Sequence, residues 1–390
     1  MPPMKILIAP DKFKGALNAR EVAENIANGL RDARPNATIE VVPMADGGEG
    51  TAEAICAVRA CSWLQCKAHD ALDREIAARY GWIENEKLAV MEMSEAAGMW
   101  RLSQSERDPL RATTFGVGQM ILDAANRGAN QIIIGLGGSA TNDGGFGLAR
   151  ALGFRFFADE KERSGSVSEL SKLTQIEPPV AAGVPPANST TQPTRSRIPS
   201  GLKIIAAVDV RNPLLGTNGA TRVFGPQKGV TAEKIEILEC ALTRLANIVT
   251  EQFGFDYRDE PGAGAAGGLG FGLISFCGAK IRPGFEVVSE AVGLQNKMKD
   301  ADIVITGEGS LDRQTLEGKT PVGVARLARK LGKRVFAIVG RATNDAEVRE
   351  VFDAVYENAR PGMSEQENKK RAPELLRANA CELAKELRGA

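Results

Sequence analysis

The chain has 390 residues, enough for about two or three domains with a sizeable core. Its formal net charge is zero and its aromatic content is only 5%, which argues against a nucleic-acid partner and against binding to an anionic membrane. No apolar run approaches the ~20 residues of a transmembrane helix, and the first residues lack the apolar stretch of a signal peptide. We therefore expect a cytoplasmic protein.

Histidine and cysteine restrict the chemistry that the chain can perform. His69 is the only histidine, so a Ser-His-Asp triad is excluded unless His69 itself takes part. Cys56, Cys61 and Cys66 recur every five residues, which spreads them around a helix and offers no pair of metal ligands. We expect the six cysteines to be thiols. The chemistry is then left to carboxylates, lysines, arginines and backbone amides.

The beginning of the chain alternates strands and helices. Residues 5–9 are a predicted strand, followed by a polar turn at 10–15. Asn18 is predicted to cap the next helix, with Glu21 three residues later completing a capping box. A second strand at 39–42 again leads into a turn of glycine and acidic residues, and another helix follows. The order β-α-β-α predicts a parallel sheet.

Residues 63–93 show a different pattern. Two alternating stretches, 78–83 and 88–93, flank the turn-like residues 84–87. This arrangement predicts an antiparallel hairpin and therefore a second domain. A helix is predicted over 114–126.

Residues 132–147 contain a strand, a glycine-rich turn and the start of a helix, in that order. Three consecutive isoleucines at 132–134 are typical of a strand that is buried on both faces. Gly137 and Gly138 allow the backbone to approach a ligand closely, and a helix is predicted after Gly144. Free N–H groups and the positive end of the helix dipole favour an anion at such a turn.

The second half of the chain returns to order after a long irregular stretch. Residues 159–201 are rich in serine and proline and lack a sustained apolar period, so we expect a mobile surface loop without a catalytic role. A strand is predicted at 204–208, and a long helix begins at Thr231 and ends at Gly254.

A second glycine block and a βαβ unit complete the chain. The small residues at 261–270 either pack a helix very closely or contact a ligand, and the sequence leaves both alternatives open. The βαβ unit consists of a strand at 302–306, a helix with Thr320 as its N-cap, and a strand at 335–339.

These elements predict an α/β protein with a discontinuous Rossmann-like parallel-sheet domain. Residues 1–63 and 286–390 form this domain in the prediction. Residues 64–285 form an inserted α/β domain with mixed or antiparallel strands, which includes the loop at 159–201.

Charged and short polar residues follow the predicted strands at several points. They are Asp11, Lys12 and Lys14; Asp46 and Glu49; Ser139, Thr141, Asn142 and Asp143; Asp209, Arg211 and Asn212; Glu308 and Asp312; and Arg341. Ligands of open parallel sheets bind outside the carboxyl ends of the strands, so these residues suit a phosphate, a metal and a small polar substrate. Gly318-Lys319-Thr320 resembles the end of a P-loop, but Arg313 stands where that motif needs glycine.

Seven blocks of sequence, in order along the chain, resemble the bacterial glycerate kinases that form a two-domain α/β enzyme. The blocks are residues 9–15, 43–50, 137–145, 209 with 212–216, 225–229, 261–270, and 307–309 with 311–312 and 318–319. The resemblance covers nearly the whole chain apart from 159–201. It departs from the usual family pattern at Ala16, Arg211 and Ser310.

The resemblance implies ATP-dependent phosphorylation of D-glycerate to 2-phosphoglycerate, with Mg²⁺ and a carboxylate base. Asp209 is the first candidate for the base and Asp312 the second. Lys14 and Arg211 are candidates for binding the glycerate carboxylate, and Lys228 for the charge that develops on the γ-phosphoryl group. The remaining assignments are Asp11, Asp46 and Asn212 for substrate; Gly137, Gly138, Ser139, Thr141, Asn142, Asp143 and Glu308 for ATP phosphates; and Asp143 and Glu308 for the metal.

Other functions remain open alternatives. A kinase for another short hydroxy acid would use the same groups. A two-lobed sensor would bind glycerate without consuming ATP, and a dinucleotide-dependent dehydrogenase is disfavoured because no G-x-G-x-x-G fingerprint opens the first helix. A homo-oligomer is also left open.

Overall fold

The computed structural model describes residues 3–179 and 198–387. The chain divides into two compact units. Unit 1 consists of Met1–Ala60 and Pro283–Ala390, and unit 2 of Cys61–Arg282. The predicted fold class, an α/β protein with a parallel sheet and a second mixed sheet, is confirmed.

The elements of both units are numbered together in chain order. The strands are β1 (Lys5–Ile8), β2 (Thr38–Val41), β3 (Ser62–His69), β4 (Glu75–Ile83), β5 (Leu88–Glu92), β6 (Gln131–Gly135), β7 (Arg155–Ala158), β8 (Lys161–Arg163), β9 (Gln175–Glu177), β10 (Lys203–Val208), β11 (Lys280–Pro283), β12 (Ile303–Thr306), β13 (Ser310–Leu311), β14 (Arg334–Val339), β15 (Arg341–Ala342) and β16 (Ala354–Glu357). The helices are α1 (Ala19–Ala33), α2 (Thr51–Val58), α3 (Ser94–Ala97), α4 (Phe115–Asn126), α5 (Phe146–Ala151), α6 (Ala220–Phe224), α7 (Ala232–Phe253), α8 (Ala265–Cys277), α9 (Gly284–Ala291), α10 (Leu294–Asp300), α11 (Thr320–Lys330), α12 (Ala346–Arg349) and α13 (Glu365–Glu386).

Unit 1 is built on a five-stranded parallel sheet in the order β16-β14-β12-β1-β2. Its central strands are buried apolar runs, as expected for a parallel sheet that is covered on both faces. Ile26 of α1 and Leu376 of α13 belong to the same apolar core as Ile6 and Ile305 of the sheet. This core fixes the ends of β1 and β12, where the candidate acidic residues lie.

Two helix starts in unit 1 show how far the local sequence signals apply. The capping box of α1 is confirmed, because Asn18 Oδ1 accepts from the Glu21 N–H at 2.9 Å and Glu21 Oε2 accepts from the Asn18 N–H at 2.8 Å. The N-cap of α11 is Lys319, one residue before the predicted Thr320. The Thr320 hydroxyl instead donates to Asp11 Oδ2 at 2.7 Å.

Unit 2 contains a six-stranded mixed sheet in the order β11-β10-β6-β5-β4-β3. Strands β5, β6 and β10 run parallel, whereas β4 pairs antiparallel with both β3 and β5. The predicted hairpin is therefore confirmed as β4 and β5. The apolar core of unit 2 includes Ile132 and Ile134 of β6, Val117 of α4 and Leu242 of α7.

The expectation of a mobile loop from residue 159 to 201 is wrong for its first part. Strands β8, β7 and β9 form a small antiparallel sheet, and a 3₁₀ helix covers Val167–Lys172. Val167, Leu170, Leu173 and Ile176 are buried. These apolar residues hold the segment in place. The rest of the predicted loop, at 180–197, lies outside the described residues.

The second glycine block packs against the turn that follows β6. A Cβ on Gly267 would lie 2.0 Å from the Thr141 carbonyl oxygen, and the Gly144 N–H donates to the Gly267 carbonyl at 3.0 Å. A Cβ on Gly145 would lie 2.6 Å from Cα of Gly272, and the reverse substitution meets Cα of Gly145 at the same distance. The sequence left close packing and ligand contact open for this block, and close packing is therefore present.

The cysteines differ from the expectation. Cys56 and Cys61 are disulfide-bonded, whereas Cys66, Cys240 and Cys277 are free thiols, as is Cys381. Cys66 lies in strand β3, so the cysteines at intervals of five residues do not share one helix. Among residues 3–179 and 198–387, no helix is both long enough and apolar enough to cross a membrane.

Candidate active site

Four acidic residues of unit 1 form a group that we call the acidic cluster: Asp11, Asp46, Glu308 and Asp312. Asp11 and Glu308 follow the neighbouring parallel strands β1 and β12. The Asp11 N–H donates to the Gly307 carbonyl at 2.8 Å, which joins the two turns directly. The structure thus brings together residues that are about 300 positions apart in sequence, as expected for the carboxyl ends of adjacent strands.

Asp11 is a buried carboxylate with few hydrogen-bond donors. Its side chain accepts from the Lys12 N–H at 2.7 Å and from the Thr320 hydroxyl at 2.7 Å. Burial and the nearby charge of Asp46 raise the pKa of Asp11 to about 7, against the opposing effect of these hydrogen bonds. Asp11 can therefore change its charge near neutral pH.

Glu308 has a similar environment. Burial raises its pKa to about 7, and the charges of Asp11 and Asp312 act in the same direction. The Thr315 hydroxyl donates to Glu308 Oε1 at 2.8 Å and accepts from the Asp312 N–H at 3.1 Å. Lys319 provides a positive charge that lowers the pKa in part. One threonine thus connects two members of the acidic cluster.

Two lysines place a positive charge near members of the acidic cluster, Lys12 near Asp11 and Lys319 near Glu308. Lys14, a predicted carboxylate ligand, is exposed. Lys12 is half-buried, and its Nζ donates to the Glu49 carbonyl. Lys12 is one of the predicted strand-end residues but has no specific predicted role, whereas Lys319, in the incomplete P-loop fragment, is not a predicted site residue. Both belong to the surroundings of the cluster.

In unit 2, the turn after β6 presents only its first residues to solvent. Gly137 and Gly138 are partly exposed, whereas Ser139 and the residues 140–145 are buried. The Gly138 carbonyl accepts from the Met99 N–H at 2.8 Å. Of the residues predicted to bind phosphate in this turn, Gly137 and Gly138 are therefore the accessible ones.

Asp143 is fully buried within the turn and accepts four hydrogen bonds. Oδ2 accepts from the Thr114 N–H at 2.8 Å, the Thr114 hydroxyl at 2.8 Å and the Gly147 N–H at 3.0 Å. Oδ1 accepts from the Gly145 N–H at 3.1 Å. Burial raises the pKa of Asp143, and these donors oppose that rise. Asp143 joins the starts of helices α4 and α5.

Lys228 and Asn142 make further hydrogen bonds that hold the same turn in place. Lys228 is 1% exposed, and its Nζ donates to the Thr141 carbonyl at 2.8 Å. Burial lowers the pKa of Lys228 to about 7, with Asp143 opposing this effect. Asn142 Nδ2 donates to the Thr221 hydroxyl at 2.9 Å. The Thr141 hydroxyl and Asn142 Oδ1 are buried without a hydrogen-bond partner in the described part of the chain.

The residues that follow β10 are more accessible. Asp209 and Arg211 are exposed. Asn212 is half-buried, its Nδ2 donates to the Asn218 carbonyl at 2.8 Å, and its own carbonyl accepts from the Gly264 N–H at 2.9 Å. Asn212 thus shapes the loop and connects it to the second glycine block.

The donor groups bear on the predicted Mg²⁺. Within residues 3–179 and 198–387, no group of three or more histidine, cysteine or acidic side chains could hold a metal ion. Protein-bound Mg²⁺ usually takes one or two carboxylates and completes its coordination with substrate phosphates and water. Glu308 fits this pattern. The hydrogen bonds of Asp143 engage both of its oxygens, so Asp143 does not fit.

Known proteins match this chain over nearly its full length. The sequence model of the Glycerate kinase family matches residues 6–388. A glycerate kinase of Halalkalibacterium halodurans is 42% identical over 354 residues, which cover 90% of this chain and 88% of the relative. A glycerate 2-kinase of Escherichia coli K12 is 41% identical over 356 residues, which cover 90% of each chain.

A solved structure agrees with the sequence matches. A crystal structure from Salmonella typhimurium LT2, of a protein assigned as glycerate kinase 2, has a TM-score of 0.84 and is 39% identical. The match covers 99% of each chain. The resemblance seen in the seven sequence blocks is therefore confirmed, and the chain belongs to the glycerate kinase family.

Proposed function

We propose that the protein transfers the γ-phosphoryl group of ATP to the 2-hydroxyl of D-glycerate, giving 2-phosphoglycerate and ADP. The observation that carries the proposal is the 41% identity to a glycerate 2-kinase over 90% of both chains. The available groups suit the reaction. Phosphoryl transfer needs positioning, charge neutralisation and a proton acceptor, and none of these requires histidine.

We assign the phosphates of ATP to the accessible part of the turn after β6. Gly137 and Gly138 have no side chain that would keep a phosphate from the backbone. Thr141, Asn142 and Asp143 are buried, so their role in the proposal is to hold the turn in shape.

We assign proton transfer to Asp209, with Asp312 as the second candidate. The glycerate hydroxyl oxygen attacks the γ-phosphorus, the carboxylate takes the hydroxyl proton, and the bond to the bridging oxygen of ADP breaks. Arg211 is an exposed cation that suits the glycerate carboxylate.

We assign Mg²⁺ to Glu308, which would supply a protein carboxylate to the ion. The bound ion would neutralise charge during the transfer. Within the proposal, Asp143 is excluded from the metal site by its four hydrogen bonds.

The experiment is glycerate-dependent release of ADP by the purified protein, with phosphorus NMR of the product. Reactions contain ATP and Mg²⁺ with D-glycerate, L-glycerate or no acid. We expect ADP only with D-glycerate and the spectrum of 2-phosphoglycerate. A product with the spectrum of 3-phosphoglycerate would overturn the assigned hydroxyl, and ADP release with L-glycerate alone would overturn the substrate.

We also propose that the protein works in the cytoplasm, since the phosphate donor is ATP. Disulfides are rare in that compartment, so we expect Cys56 and Cys61 to be reduced in the cell. Alkylation during lysis, followed by mass spectrometry, should label all six cysteines. Labelling of only the four free thiols would contradict a cytoplasmic location.

A further inference from the structure

Arg107 lies against the segment 225–229, which contains Lys228. Its Nη1 donates to the Gln227 carbonyl at 3.3 Å. Its own carbonyl oxygen lies 2.7 Å from the position that a Cβ on Gly229 would take. Both the side chain and the backbone of Arg107 therefore contact this segment, and the glycine permits the approach.

The guanidinium group of Arg107 has unused donors. Its Nε is buried and has no hydrogen-bond partner in the described part of the chain. The acidic residues on either side of it are engaged elsewhere, since Glu106 pairs with Arg74 at 2.7 Å and Asp108 with Lys234 at 2.9 Å. A buried N–H without an acceptor costs free energy, so an acceptor supplied by a ligand would be favourable here.

Lys228 is the other cation of this segment, and it is not free to meet a ligand. Its ammonium group is buried and bound to the Thr141 carbonyl at 2.8 Å. Through this bond the segment 225–229 is attached to the turn that carries Gly137 and Gly138. Arg107 is therefore the half-buried cation next to a segment that is itself anchored to that turn.

We propose that Arg107 binds phosphoryl oxygens of the nucleotide, and that Lys228 is a positioning residue that holds the turn through Thr141. The proposal rests on the proposed kinase function and assigns to Arg107 the contact that sequence reasoning gave to Lys228. Arginine suits this contact because its planar guanidinium can donate two parallel hydrogen bonds to a phosphoryl group.

The test compares three variants in the glycerate-dependent assay: R107A, R107K and the control R111A. Arg111 is an exposed arginine four positions later. We expect R107A to lower kcat/KM for ATP about a hundredfold, as for loss of one donor to a transition-state oxygen. R107K should lose about tenfold, because lysine keeps the charge without the paired donors. R111A should stay within about twofold of the wild type.

Chemical rescue separates a ligand contact from a structural role. Added guanidinium ion should restore part of the activity of R107A and none of the activity of a variant in the acidic cluster such as D312A. No rescue, or a loss confined to the KM of glycerate, would overturn the proposal. So would wild-type kcat/KM for ATP in R107A.

Binding of a non-hydrolysable ATP analogue, measured by calorimetry, keeps this proposal separate from the proposed function. If the wild type releases no ADP with glycerate but binds the analogue, and R107A binds it at least about tenfold more weakly, the role of Arg107 stands and the glycerate reaction falls. Equal affinities overturn the role of Arg107. If R107A does not fold by circular dichroism, R107K provides the same comparison.

Discussion

Two turns of this protein place an aspartate in a buried position after a strand, and the two aspartates differ in their hydrogen bonds. Asp143, in the turn after β6, accepts four hydrogen bonds from N–H and hydroxyl groups. Asp11, in the turn after β1, accepts two. Asp11 also lies near a second acid, Asp46. Burial alone therefore does not show how fully a carboxylate is hydrogen-bonded.

The difference shows what each turn can do. Asp143 uses its lone pairs to join two helix starts, so it stabilises the fold and has little capacity left for a ligand. In the acidic cluster, burial and the charges of neighbouring carboxylates raise the pKa of Asp11 and Glu308 to about 7. Strongly shifted titratable groups of this kind are frequent at functional sites.

The largest expected effect is on stability, from D143A. The substitution leaves buried N–H groups of Thr114, Gly145 and Gly147 without an acceptor. We expect the free energy of unfolding to fall by about 4 kcal/mol, measured by urea denaturation. D259A, at an exposed aspartate of the same unit, should change it by less than about 0.5 kcal/mol. Similar values for the two variants would contradict a structural role of Asp143.

A third aspartate after a strand, Asp209, is exposed and is the proposed base. We expect D209N to lower kcat at least about a hundredfold, since the amide cannot take the hydroxyl proton. The assay is glycerate-dependent ADP release, with D259N as the control. Unchanged turnover of D209N would move the role to Asp312.

The acidic cluster should make stability depend on pH. Asp11 and Glu308 keep their protons up to about pH 7 in the folded protein, whereas the unfolded chain releases them near their ordinary values of 3.8 and 4.5. The folded state thus binds more protons between about pH 4 and 7, so its stability falls as pH rises through that range.

We expect a loss of about 1 to 3 kcal/mol per group, measured by urea unfolding at pH 5 and pH 8 without Mg²⁺. D11N should show a smaller loss than the wild type, because the substituted side chain does not titrate. Equal losses in the two proteins would show that Asp11 does not contribute.

The smallest effects are expected for substitutions of the two threonines whose hydroxyls donate to Asp143 and Asp11. T114V removes a hydroxyl that donates to Asp143 and accepts from the Leu148 N–H. T320V removes only the bond to Asp11. We expect the free energy of unfolding to fall by about 2 kcal/mol in T114V and by about 1 kcal/mol in T320V. A larger loss in T320V would reverse the comparison between the two turns.

Much of the fold could be predicted because its signals are local. The capping box of α1 and the repeat of apolar residues in α7 lie within one helix each. The small sheet of unit 2 was missed because its strands have only three or four residues. Between β8 and β9, the buried residues Val167, Leu170 and Leu173 recur every three positions, a spacing that suits the 3₁₀ helix found there rather than an α-helix.

The site was less predictable because its contacts join distant residues. The polar residues at strand ends were found, but their partners were not. Nothing near Asp143 in sequence indicates that Thr114 donates to it from 29 positions away. Thr320 was predicted as a helix cap, and only the fold shows that its hydroxyl donates a hydrogen bond to Asp11. A polar residue after a predicted strand therefore indicates where a site lies better than it indicates what that residue does there.

The paired glycines of unit 2 have a consequence for engineering the protein. Gly145 and Gly272 each occupy the space that a side chain on the other would need. Compensating substitutions cannot relieve this contact, because neither partner has atoms to give up. A library that randomises the two positions together should therefore return glycine at both.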